Sequence, residues 1–116
     1  MPYISIKSEG LKENLDLRDL NKRIAEKMET DRKRIIISWE TFHEGMFYRH
    51  YDEYHRRNRP VVIIRLSKRN TKEFYLKLVD VIKEELCSIL KIEDEDILLF
   101  IHQIEEGFTY INGQFI

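Results

Sequence analysis

The sequence is short of several things, and each shortage excludes something. Cys87 is the only cysteine, so no disulfide can form within the chain. It falls inside an apolar helical pattern and reads as a small core residue. Proline occurs twice, as Pro2 and Pro60, each at the head of an apolar run; a proline there starts a strand without losing a ladder hydrogen bond. Neither sign of charge is in excess. The formal net charge is -1, which gives no global reason to expect nucleic acid or an anionic membrane as partner. No apolar run is long enough to span a bilayer, and no leader or low-complexity tract is visible, so a cytoplasmic protein is expected. There is no phosphate loop, no Cys/His nucleophile pair and no Ser-His-Asp signature. His50 and His55 are five apart, a poor same-face spacing that matches no zinc pattern. No metal and no cofactor are expected.

What is present points to one compact domain. The 116 residues are 42% hydrophobic and 35% charged, as expected for a packed core under a charged surface. The start, Met1-Pro2-Tyr3-Ile4-Ser5-Ile6-Lys7, reads as a strand. Leu17, Leu20, Ile24 and Met28 recur at helical spacing and predict a helix over about 15–29, with Asn14 or Asp16 as cap. A β-branched and aromatic run over 34–42 predicts a second strand, with a short return strand, Met46-Phe47-Tyr48, after Gly45. Residues 61–66 predict a strand. A helix over 71–91 follows from Tyr75, Leu78, Val79, Ile82, Leu86, Ile89 and Leu90, opened by a capping box between Asn70 and Glu73. Residues 97–104 predict the last long strand, and Asn112-Gly113 predicts a tight hairpin within 108–116.

The order strand, helix, strand, short strand occurs twice, over about 2–48 and 60–111. Phe42-His43-Glu44-Gly45-Met46-Phe47-Tyr48 falls on Ile104-Glu105-Glu106-Gly107-Phe108-Thr109-Tyr110, with Glu, Gly and Tyr in register. Two β-α-β units imply an α+β fold, a four-stranded mixed sheet with both helices on one face. The strands look apolar on both faces, and the helices can cover only one. A second copy of the chain is therefore expected on the other, in a closed homo-oligomer.

A proline after the initiator methionine, a β-α-β repeat and a glycine break into a terminal hairpin together resemble the tautomerase superfamily, which includes 4-oxalocrotonate tautomerase and macrophage migration inhibitory factor. Pro60-Val61-Val62-Ile63-Ile64 and Gly107-Phe108-Thr109-Tyr110-Ile111-Asn112-Gly113 resemble the short tautomerase chain. The start and the tail Tyr110-Ile111-Asn112-Gly113-Gln114-Phe115 are similar to an uncharacterised bacterial family within that superfamily. The resemblance implies a homotrimer and a proton-transfer site. Pro2 falls on the catalytic proline, Lys12 on a substrate-binding arginine, Arg69 near the equivalent place in the second repeat, and Phe47 on the aromatic wall residue. The other substrate arginine of the short tautomerase falls on Ile36 and Leu98.

The chemistry at Pro2 depends on Met1. Removal of Met1 would leave the ring nitrogen of Pro2 as a secondary amine. An α-amino group titrates at about 7.7–8.0, and burial or a nearby cation lowers that value. Such an amine suits general acid–base work near neutral pH. Each candidate also has a plainer reading. Pro2 could only start a strand, Lys12 and Arg69 could be solvated, and Phe47 could be a core or interface aromatic. The Arg-, His- and Tyr-rich segment 49–59 could guard a pocket mouth or be a solvated loop with ion pairs to Asp52 and Glu53. Two functions follow: a tautomerase of small enol or 2-keto acids, binding a carboxylate or carbonyl ligand, or a non-catalytic homo-oligomer of the same fold that binds a ligand or another protein.

Overall fold

The computed structural model describes residues 2–11, 14–43, 45–48 and 58–116. In chain order the elements are β1 (Tyr3–Ser8), α1 (Leu17–Met28), β2 (Ile36–Thr41), β3 (Val61–Ser67), α2 (Lys72–Leu90), β4 (Leu98–Ile104), β5 (Tyr110–Ile111) and β6 (Gln114–Phe115). One-turn 3-10 segments, Arg32–Arg34 and Asp94–Asp96, precede β2 and β4. The four long strands form one sheet in the order β2-β1-β3-β4. β1 runs parallel to β2, β3 runs parallel to β4, and β1 meets β3 antiparallel. The expected α+β architecture of two β-α-β units is therefore present.

The two units repeat in detail. The Pro2 carbonyl accepts from Ile36 N at 3.1 Å, and the Pro60 carbonyl accepts from Leu98 N at 3.1 Å. Both helices end on a left-handed residue that is not glycine, Glu29 (φ 55°) and Lys91 (φ 57°). α1 is capped by Asp16, whose carboxylate accepts from Arg18 N at 2.9 Å. α2 is capped by Thr71, whose hydroxyl accepts from Phe74 N at 3.1 Å. The expected Asn70 cap is displaced by that neighbour, because the Asn70 amide turns back to donate to the Ser67 carbonyl at 3.0 Å.

Strand alternation decides which residues meet the helices. Ile4 and Ile6 of β1, with Val62, Ile64 and Leu66 of β3, are essentially sealed under Leu20 and Ile24 of α1 and Leu78, Ile82 and Leu86 of α2. Burying such a side chain is worth about 1.5–3 kcal/mol, so the two central strands carry the core. The other face is less uniformly apolar than expected. Register places Tyr3, Ser5 and Lys7 of β1 beside Ile36, Ser38 and Glu40 of β2, so that half is largely polar. The β3–β4 half carries Val61, Ile63, Leu98 and Phe100, with Phe100 46% exposed.

Other expectations are corrected. Met46-Phe47-Tyr48 is not a strand: Met46 N bonds to the His43 carbonyl at 3.0 Å, and Phe47 folds back to stack on Phe42, ring centroids 4.5 Å apart. Cys87 lies at the core margin rather than inside it. Its thiol donates to Asp94 Oδ1 at 3.3 Å, and burial, then the Asp94 carboxylate, push it up to about 11. Of the segment 49–59, residues 49–57 lie outside the described residues. Asn58 exchanges hydrogen bonds with the Glu9 backbone at 3.0 and 3.3 Å. Arg59 is buried, not solvated, with Nε 3.7 Å from the sealed Asp96 Oδ1.

The helices are joined by charge as well as packing. Buried Glu85 of α2 accepts from Arg23 Nε at 2.5 Å and from Lys27 Nζ at 3.3 Å. Glu85 holds the Arg23 guanidinium above its ordinary value. Glu84, then Glu85, do the same for the Lys27 ammonium. Because the folded value of Lys27 is the higher one, its share of stability is complete below about pH 10.4 and is lost only as pH rises through the folded value. Glu85→Gln is expected to lower stability by about 1–2 kcal/mol, since the acceptor is buried but both cations are partly solvated. Asp19→Asn, on an exposed pair within α1, is expected to cost under about 0.5 kcal/mol. Urea denaturation of the two variants at neutral pH measures both, and equal effects would contradict the assignment.

Candidate active site

Pro2 immediately precedes β1 and is buried. Its strand neighbours are fixed by register: Tyr3 pairs with Ile36 of β2 on one side and with Arg65 of β3 on the other. The start of β1 thus lies between the start of β2 and the end of β3. Ser67, at that end of β3, pairs with Ile104 at the end of β4. Tyr3, Ile36, Arg65 and Ile104 all fall on the face the helices leave uncovered.

The C-terminal hairpin closes this corner. After β4 the chain turns at Gly107, in the left-handed region with φ 87°. Ile116 then returns to Thr109, with N to O at 2.8 Å, while Gly107 N donates to the Ile116 carbonyl at 3.0 Å. Asn112 and Gly113 form the expected tight turn, both at positive φ. Between hairpin and sheet lies a cleft of about 350 Å³. Tyr3, Ile36 and Ile104 line it from the sheet, and Thr109, Ile111 and Ile116 from the hairpin. Arg65, Arg69, Glu105 and Glu106 supply its charge.

Two ion pairs clasp the hairpin to the turn after β3. Lys68 pairs with Glu105, and Arg69 with Glu106. The four side chains are all more than half exposed, so solvent screens them and each pair contributes little to global stability. Their effect is local, on the closeness of hairpin and sheet.

The sequence-expected residues are only partly brought together. Pro2 is buried and precedes Tyr3, which lines the cleft, but is not itself among the lining residues. Arg69 lines it, but its guanidinium is engaged by Glu106. Lys12 lies outside the described residues. Phe47 is at the wrong end of the strand within one chain. Its stacking partner Phe42 donates its N–H to the carbonyl of Ser8, the last residue of β1, at 2.7 Å, and a strand of six residues spans about 20 Å. Arg65 was not among the expected residues. The signal for it was a single charge inside the run Val61-Val62-Ile63-Ile64-Arg65-Leu66. His43 and His102 are exposed and are not among the residues lining the cleft.

A second depression, of about 340 Å³, lies between α1 and β2 and is lined by Leu17, Arg18, Asn21, Arg32, Lys33 and Ile37. None of the expected site residues borders it. Among the described residues no group of three or more His, Cys, Asp or Glu could hold a metal ion. No helix among them is long and apolar enough to cross a membrane.

No protein-family model matches this chain, and no curated protein matches it. Solved structures do. A W0 fused 4-OT wild type symmetric trimer superposes with a TM-score of 0.78 at 12% identity, covering 97% of this chain and 96% of that one. Macrophage migration inhibitory factor from Oncomelania hupensis superposes at 0.71 and 10% identity, covering 97% and 95%. N1, a member of the cis-3-chloroacrylic acid dehalogenase family, superposes at 0.73 and 13% identity, covering 98% and 82%. At such identities the likeness is one of fold. The chain has the tautomerase/MIF fold over nearly its whole length.

The clasp yields a local prediction. A Glu105→Gln/Glu106→Gln variant is expected to keep its global stability within about 1 kcal/mol. Amide exchange at Thr109 and Ile116 is expected to quicken by about fivefold, because opening of the hairpin is separate from global unfolding. Unchanged exchange at those two amides would contradict the clasp.

Proposed function

We propose that this protein is a tautomerase-like enzyme of small enol or 2-keto acids, with Pro2 as its acid/base once Met1 is removed. The carrying observation is that Pro2 directly precedes Tyr3, which lines a cleft offering two guanidinium groups, Arg65 and Arg69, and an apolar wall. In the reaction the Pro2 nitrogen takes the proton from the enol oxygen, the C–O bond becomes the carbonyl as the C=C bond becomes single, and Pro2 returns a proton to the double-bond carbon remote from that oxygen, or runs the same path backwards; nothing is oxidised or reduced. Cations hold the carboxylate or polarise the carbonyl, and exclusion of water strengthens both interactions. Lys12 and Arg69 are the proposed substrate cations from the resemblance. Phe47 is proposed to act on a neighbouring copy, since within one chain it sits at the far end of β1. That role fits a homo-oligomer, and a homotrimer in particular, with residues 1–116 acting as one unit and the protein working in the cytoplasm. Exposed Phe100, Phe108 and Phe115 support burial against further copies.

A non-catalytic oligomer of the same fold is the second reading. It is favoured by Ile36 and Leu98 at the positions of a substrate arginine and by the engagement of Arg69 with Glu106. Intact mass of the protein made in its own cell comes first: the enzyme reading requires loss of Met1, and full retention contradicts it. With phenylenolpyruvate as substrate, Pro2→Ala in the Met1-free protein is expected to lower turnover by on the order of a hundredfold or more. Equal rates would leave Pro2 structural and support the second reading.

A further inference from the structure

We infer that Arg65 is the residue that fixes a ligand in the cleft, its guanidinium holding the carboxylate of a small monoanionic acid whose apolar part lies against Ile104, Ile111 and Ile116. The inference rests on the cleft being the ligand site of the proposed function, and assigns to Arg65 the role that the resemblance gives to Arg69.

Arg65 is placed by its strand. It stands between Ile64 and Leu66, which are 0% and 1% exposed beneath the helices, so alternation puts its side chain on the opposite face. There it pairs across the ladder with Tyr3, the residue after Pro2. Directly opposed residues of an antiparallel pair lie about 4.5–5.5 Å apart at Cα. Of the two arginines that line the cleft, Arg65 is thus the nearer in register to Pro2, whereas Arg69 is four residues further on, past the end of β3.

Among the described residues at this corner, every cation but Arg65 is matched by a carboxylate. Lys68 is taken by Glu105 and Arg69 by Glu106. Arg65 is half-buried, and no carboxylate pairs with it among the described residues. A guanidinium drawn partly out of water on an apolar strand gains most from an anion that accepts two parallel hydrogen bonds. The volume of about 350 Å³ suits a small organic acid. The wall opposite is isoleucine rather than a second cation. The two glutamates at the rim, already paired, add no net positive charge there. A second carboxylate would therefore find no unpaired cation among the described residues of the cleft, and a dicarboxylate should bind less well than an acid with an apolar substituent.

The test is calorimetric binding to the purified protein in a Pro2→Ala background, where no Pro2-dependent turnover disturbs the heats. The probes are phenylpyruvate, its methyl ester and 2-oxoglutarate. Phenylpyruvate is expected to bind more tightly than 2-oxoglutarate. Arg65→Gln is expected to weaken phenylpyruvate by about 10–100-fold, the loss of a charge-assisted hydrogen-bonded pair, while ester binding stays within about twofold and shows that the cleft is folded. Arg65→Lys is expected to fall between, keeping the charge and losing the fork. Absence of phenylpyruvate binding in the Pro2→Ala parent, unchanged affinity in Arg65→Gln, or a larger loss in Arg69→Gln would each overturn the inference. Failure of Pro2 catalysis would leave this binding readout intact, so the two ideas fall separately.

Discussion

The antiparallel seam between β1 and β3 is the constraint on which the rest depends. Each β-α-β unit alone is a two-stranded parallel sheet with one helix, too small to bury its own apolar side chains. The seam pairs residues 3–7 with residues 61–65 and places Ile4 and Ile6 against Val62 and Ile64, all at most 1% exposed. It also brings α1 and α2 side by side, where Arg23 and Lys27 share the buried carboxylate of Glu85. Parallel strands alone could not make the cleft. Because the seam is antiparallel, the beginning of β1 meets the end of β3, and Tyr3, the residue after Pro2, comes to rest opposite Arg65 and lines one cleft with the hairpin that follows β4.

The same seam divides the uncovered face. Its β1–β2 half is largely polar, with Tyr3 and Ser38 joined hydroxyl to hydroxyl at 3.0 Å, while its β3–β4 half is apolar at Val61, Ile63, Leu98 and Phe100 and turns polar at Arg65, His102 and Ser67. The exposed aromatics Phe108 and Phe115 extend the apolar half onto the hairpin. A face built this way suits contact with further copies of the chain along one half and hydrated or ligand-filled space along the other. The site proposed here lies where the two halves meet, which gives it both a dry wall and cations.

Much of the fold was legible because periodicity is local. The spacing of Leu17, Leu20, Ile24 and Met28 sets α1 within two residues, and the two prolines mark equivalent strand starts that carry the same carbonyl hydrogen bond. What could not be read involves partners distant in sequence or choices between neighbours. Thr71 took the cap from Asn70 because a competing carbonyl, that of Ser67, captured the asparagine side chain. Met46-Phe47-Tyr48 has strand-like composition, but a stacked ring pair and a turn hydrogen bond won over pairing. Arg69 was legible as a cation near the site; its engagement by Glu106, 37 residues away, was not. Arg65 is a single charge in an apolar run, and only the register with Tyr3 shows which face it takes and what it stands beside.

In the proposed function the seam sets Pro2 at a partly dry, cationic corner where a free amine would work as an acid/base. The most direct measurement is the pH titration of the Pro2 nitrogen by nitrogen-15 NMR in Met1-free protein. Burial and the neighbouring Arg65 charge both disfavour the protonated amine. A titration below the ordinary α-amino range of about 7.7–8.0, shifting upward in Arg65→Gln, is the predicted result. A titration at or above that range, unmoved by Arg65→Gln, would contradict the account.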